Sequence, residues 1–507
     1  MCRARKETPA CCEPALLRAQ SARAGIAATA FVIAMIPLRL VADERFDAAT
    51  LSAIIAEEEQ RSEAAEIFYE LTDRLGPRLS GSPAHDRAAR WAVERFQRWG
   101  LAARLEPFAF GRGWTLRGLT VEMVAPRYVP LIGYAEAWSP STSGVLTGTP
   151  VYVGDRTAEE INSVADRLEN AIVLAARPQV EFLNEDRPQP AADQSSVQTG
   201  NPPFPSPSSA TPRAELFARL SAHGAGVALL PSSTEHGTVR VQGDRNTPSD
   251  GMPSVVLAAE QYNMLVRLAE SGAPVELRIG VDVEYDEDGV DSYNVFAEIP
   301  GSDAVIGREV VLVGAHLDSW HTATGATDNA DGVATVMEAM RLLAAIDAVA
   351  RRTIRAVLWG GEEQGLLGSR AWVERHRADE LARIAVYIND DPGTGKTYGF
   401  YMEQSEAAKE IFDAWLEPLR DHGVRRNVIE GIGSTDHVPF VQQGVPAFTT
   451  IKDFRHYDVR TRHTNADFAD AVDVDDLRQS AIVLAVVAWH AAMRDDPLPR
   501  LASAQSP

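Results

Sequence analysis

Residues 308–346 read REVVLVGAHLDSWHTATGATDNADGVATVMEAMRLLAAI, and this stretch decides the fold class. It opens with apolar residues from Val310 to Ala315, which is typical of a strand that is buried on both faces of a sheet. From Asp331 onward its apolar residues recur at helical spacing, which predicts a helix. A buried strand followed by a helix is the repeating unit of a parallel sheet that helices cover on both faces.

The same alternation of strand and helix continues along the chain. TIRAVLWGG predicts the next strand, a helical pattern starts near Gly365, and IAVYIND predicts a third strand. We therefore expect an α/β domain with a mainly parallel or mixed sheet flanked by helices. In such sheets the functional site lies beyond the carboxyl ends of the strands.

The predicted strands all end in ionisable side chains. These residues are His316 and Asp318, Glu362 and Glu363, and Asp390 and Asp391. Because the ends of neighbouring parallel strands meet at one edge of the sheet, we expect these side chains to converge. Carboxylates that are brought together repel one another unless a cation neutralises them, which indicates a metal site. One imidazole and one acid for each ion, with a carboxylate shared between ions, suits zinc.

The spacing predicts roles for several of these residues. His316 stands at a strand end as a metal ligand, and Asp318, two residues later, can orient its imidazole. Asp328 stands where a loop of small residues meets the next helix, so it is free to bridge two ions. Of Glu362 and Glu363 only one can face the same ion, which leaves the other as a base for water. The second histidine ligand stays open among His437, His456 and His463.

The charge of the chain bears on its partners. Lys and Arg number 49 and Asp and Glu number 71, so the net charge is −22 at pH 7. The basic residues form no stripe along the sequence. This acidity argues against a nucleic-acid partner and favours solubility as its explanation.

Residues 1–42 differ from the rest of the chain. The apolar core AGIAATAFVIAMIPL, residues 24–38, follows a basic opening and is shorter than a typical membrane span. This pattern predicts a signal peptide over residues 1–42 and an exported protein, periplasmic or secreted, with no stable membrane association after cleavage. The alternative is a retained N-terminal anchor. Cys2, Cys11 and Cys12, the cysteines of the chain, all lie in this segment.

Residues 43–125 are predicted to form the N-terminal part of the α/β domain. Within them Ser82 is a good helix cap and Pro83 fits the first helical turn. Apolar residues then follow at helical spacing until Gly100, which predicts a helix that ends there.

The middle of the chain has a different texture. Short apolar runs such as AIVLAA and GVALLP predict a separate β-rich domain over residues 126–285. Residues 186–212 are dense in Pro, Ser and Gln, which predicts a mobile surface excursion. Residues 286–497 are predicted to form the main part of the α/β domain, and residues 498–507 a tail.

Five motifs in order resemble one family of enzymes. They are LTDRLGPRLSGSP, GAHLDSW with GATDNADGVA, LWGGEEQGLLGS, YINDDPGT and TRHTNAD. On these motifs the chain resembles the M28 metallopeptidases, and within them the carboxypeptidase Q-like branch. The resemblance implies a phosphorylase/hydrolase-like α/β fold that holds two zinc ions. ENAIVLAA and LSAHGAGVALLP are similar to a protease-associated (PA) domain, which in this family interrupts the peptidase.

The resemblance also implies the residues of the site. The zinc ligands that it implies are His316, Asp328, Glu363, Asp391 and His463. Asp328 is expected to bridge the ions and to precede a cis peptide bond to Asn329. Glu362 is implied as the general base that activates a water shared by the ions, and Asp318 as the support of His316.

The same resemblance chooses between candidate ligands and suggests roles for two further histidines. The pattern INDD favours Asp391 over Asp390 as the ligand, and HTNAD favours His463 over the other histidines. His437, in STDH, resembles part of the family's substrate-side loop. His321 stands where some relatives carry an acid, so it is either a substrate contact at the pocket rim or a plain loop residue.

The activity implied is that of an exopeptidase. The carboxypeptidase Q-like branch acts on short peptides and dipeptides, so hydrolysis of their terminal peptide bonds is the first interpretation. A broad-range aminopeptidase of the same family is the second. A non-catalytic binding protein and a single-zinc acyltransferase are disfavoured because every ligand position is filled. A homodimer is suggested by the resemblance alone.

Overall fold

The structure is a computed structural model that describes residue 44, residues 46–188 and residues 200–502. The predicted signal peptide lies outside the described residues, as do residues 503–507 of the predicted tail. Among the described helices, none is both long enough and apolar enough to cross a membrane.

The described strands form two sheets, one of nine strands and one of five. In chain order the strands are β1 (Ala102–Ala125), β2 (Val129–Pro130), β3 (Gly133–Ala135), β4 (Leu146–Gly148), β5 (Val151–Tyr152), β6 (Ile172–Leu174), β7 (Val227–Pro231), β8 (Ser254–Leu257), β9 (Glu276–Ile299), β10 (Val310–His316), β11 (Thr353–Trp359), β12 (Ile384–Asn389), β13 (Thr394–Tyr401) and β14 (Ala447–Asp453). The larger sheet has the order β13, β14, β12, β10, β11, β9, β1, β2, and β4 also pairs with β9. The smaller sheet has the order β3, β8, β7, β6, β5.

The centre of the larger sheet is parallel and its flanks are antiparallel. β10 pairs in parallel with β11 and β12, and β12 pairs in parallel with β14. β9 runs antiparallel to β11, and β13 runs antiparallel to β14. Every residue of β10 is buried, as its apolar sequence predicts for a strand covered on both faces. The predicted α/β class is confirmed, and the sheet is mixed.

Helices cover both faces of the larger sheet. The α-helices are α1 (Ala48–Arg61), α2 (Ala64–Tyr69), α3 (Pro83–Arg98), α4 (Ala158–Asn162), α5 (Arg213–Ala222), α6 (Ala259–Glu270), α7 (Asp331–Ala345), α8 (Leu367–His376), α9 (Glu406–Leu416), α10 (Val438–Val441) and α11 (Val474–Met493). On one face α2, α3, α7, α9 and α11 pack against a core that includes Val311 and Val313 of β10. On the other face α8 and α10 pack through Trp372 and Phe440 against Trp359 of β11.

The helix predicted after Ser82 is α3. Ser82 Oγ accepts the backbone N–H of His85 at 3.4 Å, and Pro83 occupies the first turn. The helix ends at Arg98, and Gly100 follows with a φ of +81°, a conformation that glycine adopts without strain. The prediction of this helix is confirmed at both ends.

The smaller sheet lies between Gly133 and Leu257 and has its own core. α5 and α6 contribute to this core, as do Val121 of β1 and Ile279 of β9. β1 and β9 pair with each other from one core to the other, with irregular register at several points. The two long strands therefore link the smaller sheet to the larger one.

Two residues at the start of the predicted excursion, residues 186–212, make specific contacts with a distant loop. The Arg187 side chain is fully buried, and its Nε and Nη2 donate to the Asp458 carboxylate at 2.9 and 3.0 Å. The Asp186 carboxylate accepts the backbone N–H groups of His456 and Val459 at 2.6 and 2.9 Å. Composition predicts the average behaviour of a segment, and it does not register one arginine that pairs with a distant buried acid.

Candidate active site

The carboxyl ends of β10, β11 and β12 bring the predicted ligands together. Five residues form two overlapping groups whose potential ligand atoms lie within 4.8 Å of one another. One group is His316, Asp328 and Asp391, and the other is Asp328, Glu363 and His463. Asp328 belongs to both groups, as a bridging ligand must.

The two oxygens of Asp328 face two different histidines. Oδ1 lies 3.2 Å from His316 Nε2, and Oδ2 lies 3.1 Å from His463 Nε2. A second acid completes each half of the cluster, because Asp391 Oδ1 lies 3.7 Å from His316 Nε2 and Glu363 Oε2 lies 3.0 Å from His463 Nε2. The peptide bond from Asp328 to Asn329 is cis, as expected.

The structure separates Asp391 from its neighbour Asp390. Asp391 faces the cluster, whereas Asp390 accepts a hydrogen bond from Thr450 Oγ1 at 2.6 Å and lies 3.1 Å from Lys452 Nζ. The same lysine lies 3.1 Å from Asp331 Oδ2, at the first residue of α7. The buried Lys452 therefore pairs with Asp390 and Asp331, and Asp391 is the acid that faces the cluster.

Asp318 acts mainly on the backbone of the two glutamates. Its Oδ1 and Oδ2 accept the backbone N–H groups of Glu362 and Glu363 at 3.2 and 3.3 Å. The contact at hydrogen-bond distance from His316 Nδ1 is the Asp318 backbone carbonyl, at 3.0 Å, while the carboxylate is 3.6 Å away. The prediction gave the support of His316 to the Asp318 side chain, whereas in the structure the Asp318 carbonyl oxygen makes that contact and the carboxylate holds the Glu362–Glu363 segment.

The two glutamates differ in their surroundings. Glu363 Oε2 contacts His463 and accepts a hydrogen bond from Trp320 Nε1 at 2.7 Å. Glu362 belongs to neither ligand group, and it lines a cavity of about 390 Å³ together with the five clustered residues. Burial raises the pKa of Glu362 well above its usual range, and the Asp391 and Glu363 carboxylates raise it further against the opposing effect of His316. Glu362 is thus the glutamate that borders the cavity without the contacts to His463 and Trp320 that engage Glu363.

The charges of the cluster fit divalent cations. Burial lowers the pKa of His316, but the Asp391 and Glu362 carboxylates outweigh it and hold that pKa well above its usual range. Burial raises the pKa of Asp328, but His316 and His463 outweigh it and hold that pKa well below its usual range. The buried carboxylates therefore draw positive charge into the cluster. Imidazole nitrogens and carboxylate oxygens in this arrangement are donors that zinc accepts.

Two residues from the region of the smaller sheet also reach the cluster. The Val241 backbone N–H donates to the His463 carbonyl at 3.0 Å, and Arg240 Nη2 lies 3.1 Å from His463 Nδ1. A histidine that ligates a metal through Nε2 carries its proton on Nδ1, so the contact with Arg240 has to lengthen or rotate when a cation binds. No motif in the sequence pointed to residue 240.

Two further cavity residues escaped the sequence prediction. Tyr457 is buried and its side chain lines the cavity, as does Arg462, which directly precedes His463. The TRHTNAD motif contains Arg462, but the motif alone gives it no role. Tyr457 lies outside every quoted motif.

The structure does not bring His321 or His437 into the cavity. His321 Nε2 lies 2.8 Å from the Ala135 carbonyl, and its ring meets the edge of Trp114. His437 is fully buried, with Nε2 3.1 Å from Glu403 Oε1. The predicted substrate contact at His437 is therefore not what the structure shows, and of the two alternatives for His321 its contacts are those of a plain loop residue. His456, the third candidate ligand, is exposed and outside the cluster.

The sequence of the chain is similar to those of known proteins. Residues 294–488 match the sequence model of peptidase family M28. The chain is 26% identical to Carboxypeptidase Q of Homo sapiens over 433 residues, which cover 85% of each protein.

Solved structures share the fold. A Peptidase M28 precursor from Shewanella amazonensis SB2B superposes with a TM-score of 0.67 at 24% identity, over 89% of this chain and 98% of that one. A zinc aminopeptidase from Bacillus subtilis, BSAP, superposes with a TM-score of 0.59 at 19% identity, over 87% of this chain and 98% of that one. All five clustered residues lie within residues 294–488, the region that the family model matches.

Proposed function

The chain belongs to peptidase family M28 and is a metallopeptidase, and from this premise we propose that it is a dinuclear zinc exopeptidase of short peptides. Its substrates would be dipeptides and the terminal residues of short peptides. The observation that carries the proposal is the position of Asp328, whose two oxygens each face a histidine that has a second acid beside it.

The residues divide the chemistry between them. Two zinc ions, held by His316 with Asp391 and by His463 with Glu363 and bridged by Asp328, would polarise the scissile carbonyl and lower the pKa of water. The Glu362 carboxylate takes a proton from the attacking water and gives it to the leaving amine nitrogen. The Asp318 carboxylate keeps the Glu362 backbone in place for both transfers.

The cavity supports a small substrate. Its volume of about 390 Å³ is at the small end of the range for ligand sites. The names of the relatives point to both ends of a peptide, since one is a carboxypeptidase and another an aminopeptidase. A broad-range aminopeptidase is therefore the alternative within the same chemistry.

Three further properties belong to the proposal. Residues 126–285 form a PA-like insert, since their separate core and sheet interrupt the catalytic domain. The protein is exported by its N-terminal segment. It forms a homodimer, which the resemblance alone suggests.

The test combines metal analysis with hydrolysis assays. We expect about two zinc ions per purified chain, by the bridged geometry, and hydrolysis of a dipeptide that chelation abolishes and zinc restores. Dipeptides with a blocked amino or carboxyl end then show which terminus is required. A protein that holds two zinc ions and cleaves none of these peptides contradicts the proposal.

A further inference from the structure

Arg462 is a cation at the site that the proposed chemistry does not use. It precedes His463 in the chain, and its side chain lines the same cavity as Glu362 and Asp391. Only 13% of that side chain is exposed, so its charge faces the cavity more than bulk solvent. A guanidinium in this position costs free energy unless an anion faces it.

The neighbouring acid is engaged elsewhere. Arg462 Nη1 lies 3.9 Å from Asp458 Oδ1, which is a long ion pair. Both oxygens of Asp458 accept hydrogen bonds from the Arg187 side chain, at 2.9 and 3.0 Å, and Oδ2 also accepts the Arg187 backbone N–H at 3.1 Å. Arg462 therefore keeps donors that are available to a ligand in the cavity.

When two divalent cations are bound, the carboxylates around the cavity do not neutralise the charge of Arg462. The carboxylates at the cavity are those of Asp328, Glu362, Glu363 and Asp391. Their combined charge balances that of two divalent cations, so the positive charge of Arg462 remains in excess. The loaded cavity then attracts an anionic group of the substrate.

We propose that Arg462 binds the free α-carboxylate of the substrate and so directs hydrolysis to the peptide bond next to a free carboxyl end. This inference rests on the proposed function and specifies its substrate class: dipeptides and short peptides with an unblocked carboxyl terminus. A planar guanidinium matches a carboxylate through two parallel hydrogen bonds, which a lysine cannot reproduce.

Arg370 is the other arginine among the described residues that line the cavity. It is exposed on α8, and its Nε donates to the Gly365 carbonyl at 3.1 Å. Water and salt screen an exposed guanidinium, so it contributes less to the binding of a carboxylate than a largely buried one. Arg462 is therefore the better candidate for binding the substrate carboxylate.

The test uses two substrates that differ by one charge, alanyl-alanine and its C-terminal amide. In Arg462→Gln we expect kcat/KM for the dipeptide to fall about ten- to a hundred-fold, mainly through KM, because a charged hydrogen-bonded pair is lost. The amide should change less than about two-fold because it lacks the paired charge. Arg462→Lys is expected to recover part of the loss on the dipeptide.

Arg460→Gln is the matched control. Arg460 is an exposed arginine in the same loop and does not line this cavity, so both substrates should keep their wild-type kinetics. An equal loss on the dipeptide and its amide in Arg462→Gln overturns the proposal, because it shows a structural role. Unchanged kinetics overturn it as well, as does a charge-selective loss that appears in Arg370→Gln instead.

Binding without turnover separates this inference from the proposed function. Calorimetry with zinc-loaded Glu362→Gln measures alanyl-alanine binding, and adding Arg462→Gln should weaken it by about ten-fold or more with no such change for the amide. If binding is selective for the dipeptide but the wild-type protein cleaves no peptide, the Arg462 assignment is correct and the proposed function is wrong. Equal wild-type activity on the dipeptide and the amide leaves the function standing and the Arg462 assignment wrong.

Discussion

Asp318 holds the Glu362–Glu363 backbone through both oxygens of its carboxylate. In Asp318→Asn the amide group would face one of these N–H groups with donors of its own, so the base would lose its position. We expect kcat to fall at least about ten-fold, as is usual for a partner that orients site residues. Steady-state kinetics beside zinc analysis checks this, and wild-type kcat in the variant would contradict the role.

Tyr457 offers a hydrogen-bond donor at the cavity. Burial raises the pKa of its phenol well above the usual range, and the Asp328 and Asp391 carboxylates add to that effect, so the phenol stays protonated. If it donates to the oxygen that becomes negative during hydrolysis, Tyr457→Phe lowers kcat by about a hundred-fold. Tyr401→Phe is the control, since Tyr401 is buried outside this cavity. Equal kinetics in the two variants would remove Tyr457 from the mechanism.

Single residues were predictable where a strand end positions them. His316 ends β10, and the pairs at 362–363 and 390–391 follow β11 and β12, so the apolar pattern of the strands located them. The choice between Asp390 and Asp391 depends on Lys452, which lies far away in the sequence. Arg240 reaches the site through a contact with the distant His463, which no local pattern reports. Tyr457 lies only six residues before His463, but it belongs to none of the quoted motifs.

The loop that carries His463 depends on the segment before residue 189. Arg187→Ala would leave the Asp458 carboxylate buried and without its bidentate partner, at a cost of about 3–5 kcal/mol in the free energy of unfolding. Arg177→Ala removes an exposed ion pair with Asp155 and should cost no more than about 1 kcal/mol. Denaturant unfolding of both variants measures the difference, and equal midpoints would contradict the anchoring role.

Elements with strong local signals were predicted well. The cap at Ser82, the proline at the first turn and the following apolar spacing define α3, and the structure has the same helix. The composition of residues 186–212 predicts a mobile excursion, and it gives no sign of the contacts that Asp186 and Arg187 make with residues 456–459. Such contacts depend on tertiary structure and not on the segment itself.

His321 joins the catalytic domain to the smaller sheet, and its burial makes the stability of the whole molecule depend on pH. Burial lowers the pKa of His321 to about 4, so the folded protein holds the neutral imidazole where the unfolded chain, with a pKa near 6.5, binds a proton. The free energy of unfolding is therefore unaffected by the titration of His321 above about pH 6.5. As the pH falls towards 4, proton binding to the unfolded chain lowers that free energy, by about 3 kcal/mol in all.

His321→Gln keeps a donor for the Ala135 carbonyl and removes the titration. We expect its unfolding free energy to depend less on pH between 4 and 6.5 than that of the wild type. His236→Gln, at an exposed histidine, should leave the dependence unchanged. Parallel pH profiles for the wild type and His321→Gln would contradict the assignment.

At the scale of the whole molecule, the sequence predicted the α/β class, the two regions with separate cores and the edge at which the site lies. It did not predict how the regions join. β1 and β9 pair over most of their length with irregular register, and Val241 pairs with the His463 loop. These pairings join residues that are far apart in the chain, so periodicity within one segment cannot reveal them.

The central claim is that Glu362 is the base beside a two-ion cluster that it does not help to hold. The most direct measurement is the hydrolysis rate of a dipeptide by Glu362→Gln, with the zinc content of the same sample. We predict wild-type zinc content and a kcat reduced by about 10²–10⁴-fold, the usual contribution of a positioned base. Wild-type kcat in the fully loaded variant would contradict the account.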